Sequence, residues 1–270
     1  AYTTLVFFGA ISLSGCLQKD VSTKIIFTPT YNSIALNCQT NFQPFDNKSS
    51  EASNLQGWKY TQLQFFIHNI EIKTRENTWQ PWVMETNIYQ SNDVALLGEM
   101  CGEINKQSNW VLELTSLTDH QDITDIRFTL GIPFSLNHLN PLTQESPLNI
   151  SSMFWGWRVG HKFMRVELGS KNDDWIFHLG STGCKALSPV RAPKEQCLQP
   201  NKVVISLPFT QGTTHIAFDL SVLLNNLELT RENSCQSSPD KKSCKLLFEN
   251  LGMNTIENNE QLLFKAKTDE

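Results

Sequence analysis

Three kinds of side chain in this sequence could do chemistry with a metal ion or an oxidant. There are six histidines, seven tryptophans and seven cysteines in 270 residues. His68 lies in an alternating stretch, on the face opposite Leu63, Phe65 and Ile67. His178 lies opposite Trp175, Phe177 and Leu179, and His138 ends an apolar run and enters a loop. Neutral imidazole is the commonest side-chain metal ligand and suits Cu, Zn, Fe and Ni. Two or three imidazoles brought together from separate strands would bind one ion. Taken singly, each is an ordinary surface or hydrogen-bonded histidine, and His120, His161 and His215 are read that way.

Trp155 and Trp157 flank Gly156. Such a pair can pack in a core, form a sugar-stacking platform or be an oxidisable centre. Core packing is the commonest of these roles. Met153 and Met164 offer thioethers that favour Cu(I) if they face a site, and core filler if they do not. No apparatus for hydrolysis stands out. Gly-x-Ser-x-Gly and His-Glu-x-x-His are absent, Ser181 near His178 has no third group, and Asp173-Asp174 is an adjacent pair in a turn.

The cysteines divide by position. Residues 1–15 are uncharged and mostly apolar or small, and end Leu13-Ser14-Gly15 before Cys16. That pattern predicts a secretory leader with a lipobox, removed at residue 15, and a lipid on Cys16. Leu17, rather than Asp, favours sorting to the outer membrane. The remaining six, Cys38, Cys101, Cys184, Cys197, Cys235 and Cys244, predict three disulfides in an oxidising compartment. Cys184–Cys197 and Cys235–Cys244 would staple local loops, and Cys38 and Cys101 would then pair over a long span. A zinc site is the competing reading, but there is no Cys-x-x-Cys and no closely spaced histidine pair. The formal net charge of −5, with scattered lysines and arginines, argues against nucleic acid as a partner.

These groups need a scaffold, and the periodicity predicts an all-β one: an antiparallel sandwich or barrel-like single domain with a few short helices. The expected division is leader 1–15, tether 16–23 and domain 24–270. Expected strands are 24–28, 60–73, 79–83, 94–97, 110–114, 126–132, 162–168, 175–179, 203–207 and 215–219, with a final one at 261–267. A bulge near Asn69 is expected, because Ile70 and Ile72 fall on the other parity from Ile67. Short helices are expected from Pro147 to Met153, over 221–225 and over 245–251.

From about Tyr60 to Phe264 the chain resembles the MbnP-like family, the four-Cys partner of the "metallo-mystery pair". The resemblance rests on Leu130-Gly131-Ile132-Pro133-Phe134 with Asn137-His138, and on Ser146-Pro147-Leu148-Asn149. Met153-Phe154-Trp155-Gly156-Trp157, Lys162-Phe163 and His178-Leu179-Gly180-Ser181-Thr182-Gly183-Cys184 extend it. It implies an extracytoplasmic, β-rich copper-binding protein whose partner is a di-haem c-type cytochrome of the MauG-like, MbnH type. The partner would oxidise a tryptophan to kynurenine, so the chain would be the substrate of an enzyme and not an enzyme. Carried onto this sequence, the resemblance makes the Trp155/Trp157 pair the favoured place for oxidation of one tryptophan, and His68, His138 and His178 the candidate copper ligands. His161 and Gln236 depart from many relatives, which have Tyr and Met there. From the residues alone, a surface adhesion or glycan-binding lipoprotein using exposed aromatics is the alternative.

Overall fold

The computed structural model describes residues 22–44, 57–102, 107–116, 123–209, 213–253 and 262–268. The expected leader, the lipid site Cys16, the tether as far as residue 21, and His120 lie outside the described residues. No helix among the described residues is long and apolar enough to cross a membrane.

In chain order the described elements begin with β1 (Thr23–Tyr31), β2 (Ile34–Ala35), β3 (Lys59–Thr74) and β4 (Trp79–Pro81). Next come β5 (Ala95–Met100), β6 (Gln107–Asn109), β7 (Val111–Leu114) and β8 (Ile123–Leu130). A long excursion then carries the one-turn helix α1 (Phe134–Asn137), a 3-10 turn (Ser151–Met153) and the hairpin β9 (Phe154–Gly156) and β10 (Gly160–His161). The chain resumes with β11 (Met164–Gly169), β12 (Asp174–Leu179), β13 (Val203–Pro208) and β14 (Thr213–Asp219). Helices α2 (Leu220–Leu223) and α3 (Lys242–Asn250) and strand β15 (Phe264–Thr268) follow.

The strands form two main sheets. In the smaller, the order is β15-β14-β1-β2, with β7 also paired to β1. The larger is built on β3, whose first half lies between β11 and β5 and whose second half pairs β8 and β4. The handover falls at Asn69, which has φ 53° and sits where the register shifts between His68 and Glu71. This is the expected bulge: one extra residue switches parity and lets both Ile67 and Ile70 be buried. One pairing departs from the antiparallel expectation. β1 and β14 run parallel, with Ile26 opposite His215 and Thr30 opposite Asp219.

The two sheets meet face to face through phenylalanines. Phe27, Phe218 and Phe264 come from the smaller sheet, Phe65 and Phe128 from the larger. Phe65 and Phe218 stack at 5.4 Å, and Phe128 meets Phe264 edge-on at 5.4 Å. Such rings bring a large buried apolar area and about 0.5–1.5 kcal/mol per well-placed pair beyond it. Alternation in β1, β3, β8 and β14 exists to present these rings to one interior.

The helix expected from Pro147 to Met153 is not formed. Ile150 is extended (φ −76°, ψ 100°), which confines helical backbone to the 3-10 turn behind it. In contrast, α1 was not legible: a single turn, closed by the Asn137 N–H donating to the Pro133 carbonyl at 3.0 Å, is too short to show a period.

Candidate metal and tryptophan site

The excursion between β8 and β11 is stitched onto the outer face of the larger sheet. The Gly131 N–H donates to the Phe66 carbonyl, and the Phe66 N–H donates to the Phe163 carbonyl, each at 2.8 Å. Beneath it, side chains opposite one another in the register share that outer face. Gln62 faces Glu167, Gln64 faces Arg165, and Arg165 faces His178. Gln62 and Gln64 are only 2% and 1% exposed, so the polar face of β3 is covered rather than solvated.

Asn137 clamps the excursion to the sheet. Its Oδ1 accepts from the His161 N–H at 2.8 Å, which fixes the amide orientation. Its Nδ2 then points at His138 Nε2 (3.2 Å) and Ser181 Oγ (3.5 Å). Gly160 makes this possible. It has φ 84°, and a Cβ there would lie 2.5 Å from the Asn137 side chain. His161 is fully buried, with Nδ1 2.8 Å from the Asn137 carbonyl and Nε2 2.9 Å from the Leu148 carbonyl. Each nitrogen lies against a carbonyl and the neutral ring donates to one of them, so His161 is a structural cross-tie, in line with its reading as hydrogen-bonded.

His178 stands on β12 with a different arrangement. Its Nε2 lies 2.8 Å from Glu167 Oε1, and its buried Nδ1 has no hydrogen-bond partner. Burial lowers the His178 pKa, against the pull of Glu167, so the ring is neutral at pH 7. A neutral ring beside a carboxylate donates Nε2–H, which leaves the Nδ1 lone pair inward and free. Glu167 supports this. Burial would raise its pKa, but hydrogen bonds from His178 and Arg165 outweigh that and hold it at about 2. Carboxylate-oriented histidine is how metal-ligating imidazoles are commonly prepared.

The backbone behind His178 is braced from the carboxyl-terminal half. The His178 N–H donates to the Cys235 carbonyl at 2.9 Å, and the His178 carbonyl accepts from Ser237 Oγ at 2.9 Å. Ser237 Oγ in turn accepts from the Gly180 N–H. Cys235 is bonded to Cys244 of α3, so that disulfide buttresses the strand edge carrying the histidine.

Trp155, on β9, lies over Gly180. A Cβ at Gly180 would come within 2.6 Å of the Trp155 ring and 2.9 Å of the His161 carbonyl. The Trp155 and His178 ring centroids are 6.0 Å apart, and the Lys162 ammonium lies 5.9 Å from the Trp155 ring. Burial, with Arg165 nearby, lowers the Lys162 pKa to about 8. Trp157, in the β9–β10 turn, packs edge-on against Phe154 at 6.1 Å. Both indoles are half-buried.

Trp157 and His138 line one cleft of about 950 Å³, walled on its far side by the loop between Cys184 and Cys197. These cysteines form a disulfide, as do Cys38 with Cys101 and Cys235 with Cys244. His138 is 4% exposed, and Cys197 Sγ is 3.7 Å from its Nε2. Because Asn137 donates to Nε2, the His138 proton sits on Nδ1, toward the Trp157 backbone. A metal at Nδ1 would require the other tautomer. Burial lowers the His138 pKa.

His68 lies at the bulge of β3, opposite Thr129 of β8. Its Nε2 is buried without a partner, and burial, with Lys202 nearby, pushes its pKa to about 4.

The three histidines expected to share one ion do not form a close ligand group together. Among the described residues, the one set of three ligand-type side chains within 4.8 Å is His138 with Cys184 and Cys197. Its sulfurs are joined as a disulfide and offer no thiolate. The structure places His178 with Trp155, His138 with Trp157, and His68 apart on β3. Glu167 was missed, and Asn137 and Gly180 stood in the motifs quoted above without a role of their own. A charge in an alternating strand reads as solvent-facing, and nothing in the sequence says that a later segment will cover it.

A model of the family described as MbnP matches residues 20–237. Among solved structures, MbnP from Methylosinus trichosporium superposes with a TM-score of 0.76. The match covers 93% of this chain and 100% of that one at 18% sequence identity, which shows a shared fold. No curated protein matches the chain.

Proposed function

The chain belongs to the MbnP family, and on that premise we propose that it is an extracytoplasmic copper-binding protein and the substrate, not the catalyst, of a di-haem oxidase. One observation carries the copper reading. His68 Nε2 and His178 Nδ1 are buried ring nitrogens with no hydrogen-bond partner, whereas each ring nitrogen of His161 lies against a backbone carbonyl and His138 turns its Nδ1 proton toward the Trp157 backbone. An orphaned buried nitrogen is costly unless something fills it. Imidazole nitrogens suit copper, and His178 is the best prepared because Glu167 fixes its tautomer. His178 and His138 are the ligands nearest the tryptophan hairpin, and His68 would serve separately. Copper, when bound, supplies a redox-active cation there.

The oxidisable centre of this reading is the hairpin that carries Trp155 and Trp157. Both indoles touch a histidine or share its cleft. A partner that withdraws four electrons in steps, and passes them to peroxide, can convert an indole to kynurenine: water supplies the new oxygens, the C2 carbon leaves as formate, and the residue loses one carbon and gains one oxygen. The anchoring of the chain by a lipid on Cys16, at the outer membrane, belongs to the same reading, and three disulfides suit the oxidising compartment it requires. A glycan platform would want flat exposed rings, and both indoles are half-buried instead.

The test is co-expression with a di-haem partner, followed by intact and peptide mass analysis and copper titration. The expected product carries kynurenine within residues 154–162 and binds copper. An unmodified hairpin together with no copper binding in either oxidation state would refute the reading.

A further inference from the structure

Around Trp157 the surface changes character. The chain is acidic overall, at −5. Yet the cleft beside Trp157 is edged by Lys185, Arg191 and Lys194 against one acid, Glu195. Among the described residues none of these three cations has an ion-pair partner. The wall between them is apolar and turned outward, with Leu187 87% and Val190 71% exposed. Aliphatic groups left in water at that level, clustered on one cleft, mark an interaction surface more than a folding need.

The loop that bears them has no regular secondary structure, but it is held at both ends. Cys184 and Cys197 are bonded, and just outside them Thr182 and Gln199 exchange backbone hydrogen bonds at 2.9 and 3.0 Å. A loop closed in this way loses less conformational freedom when something docks on it. It also forms one side of the cleft whose other side holds Trp157, so whatever docks there comes against the indole.

We propose that this loop, with Leu139 and Trp157, is the face that receives the redox partner, and that the partner presents an acidic rim around an apolar centre. The inference rests on the proposed function for the partner's identity, and adds where it binds and by what chemistry. Redox complexes are small, short-lived contacts at the low end of interface size. Their speed comes from charge complementarity, and their fit from a compact apolar centre. Three unpaired cations around two exposed aliphatic side chains supply one half of that arrangement. A local basic patch on an acidic protein also orients the approach, because the rest of the surface repels an acidic partner.

The experiment uses the full chain, copper-free, the purified di-haem protein, and hydrogen peroxide as the terminal oxidant for the oxidation assay. Association rate is measured at low and high salt, and kynurenine is read by mass. K185E/R191E/K194E and L187S/V190S alter only exposed loop residues, and K241E/K242E, outside the cleft, is the control. Expected are a salt-sensitive association, roughly tenfold or more slower in the charge-reversal variant, a faster dissociation in the apolar variant, and a far smaller slowing in the control, which adds negative charge away from the cleft. Oxidation of the wild type with loop variants that bind and react like it overturns the docking face and leaves the proposed function standing. Loop-dependent binding without oxidation supports the docking face and removes the oxidation. Neither binding nor oxidation overturns both.

Discussion

His178 Nε2 and Glu167 Oε1 lie 2.8 Å apart across the β11–β12 pair, and this contact leaves the other nitrogen of the ring without a partner. Removing the carboxylate frees the imidazole to rotate and to change tautomer. E167A is therefore expected to weaken copper binding by about 10–100-fold, the usual cost of losing the group behind a metal-bound histidine. A competition titration with a Cu(I) chelator reads this directly. E167Q, which keeps an acceptor oxygen, should lose less. Equal copper affinity in wild type and E167A would mean that His178 is not a ligand.

Acid should destabilise the fold in a defined window. Burial lowers the pKa of His68 to about 4, and lowers those of His138, His161 and His178 as well. Unfolding restores each to about 6.5, so between pH 6.5 and 4 the unfolded chain binds more protons than the folded one. Stability therefore falls as pH drops through that range. Glu167 extends the loss lower: its folded pKa of about 2 lies below the unfolded value of 4.5, so its contribution is present above 4.5 and disappears toward 2. Denaturant midpoints from pH 7 to 4 should decline steadily, and H68N should flatten the slope across the window from 6.5 to 4. A midpoint that is constant over that range would contradict the burial of neutral imidazoles.

G180A tests the seat of Trp155. The added methyl would meet the indole at 2.6 Å and a backbone carbonyl at 2.9 Å, and the carbonyl belongs to a cross-tied segment that cannot readily retreat. Overpacking of this kind costs about 1–3 kcal/mol. The expected readout is a lower Tm together with a red-shifted tryptophan emission as Trp155 moves toward water. An unchanged spectrum in a destabilised variant would place the strain elsewhere.

The disulfides should differ in weight. Cys184–Cys197 closes a separation of 13 residues and Cys38–Cys101 one of 63. On loop closure alone the first is worth about 3 kcal/mol and the second more, by a slow logarithm. C184S/C197S should lower Tm by less than C38S/C101S while leaving the β-sheet spectrum intact. The reverse order would mean that the 184–197 loop stabilises the native state through contacts rather than through closure.

Much of the scaffold was legible in the sequence because each strand carries its own signal. In β3 the parity change from Ile67 to Ile70 located the bulge at Asn69, and the spacing of Cys184–Cys197 and Cys235–Cys244 suited local staples. What the sequence could not show is register, because no residue announces its partner across a sheet. An alternating polar face such as that of Gln62, Gln64 and Glu167 is one that sequence takes as solvated, but Gln62 and Gln64 are buried and Glu167 is half-buried beside them. The same gap explains the histidines. His68, His138 and His178 are buried, although two of them lie opposite the apolar residues of their strands and each, taken singly, reads as an ordinary surface or hydrogen-bonded histidine. Whether they meet depends on three separate strand registers and one loop path, and those bring each beside a different neighbour.

The parallel pairing of β1 with β14 sets when this protein can finish folding. Ile26 is neighbour to a strand that begins near His215, so one edge of the first described strand must wait for nearly the whole chain. A polypeptide delivered amino end first can pair β1 with β2 and β7 and set Phe27 against Phe65 and Phe128, but it leaves the other edge of β1 open and the contact of Phe27 with Phe264 unmade until the carboxyl-terminal strands arrive. Contacts this distant in sequence close slowly and leave a sticky edge in the meantime. Chaperone dependence during export, and loss of the soluble protein on deleting β14 or β15, are the practical signatures of that topology.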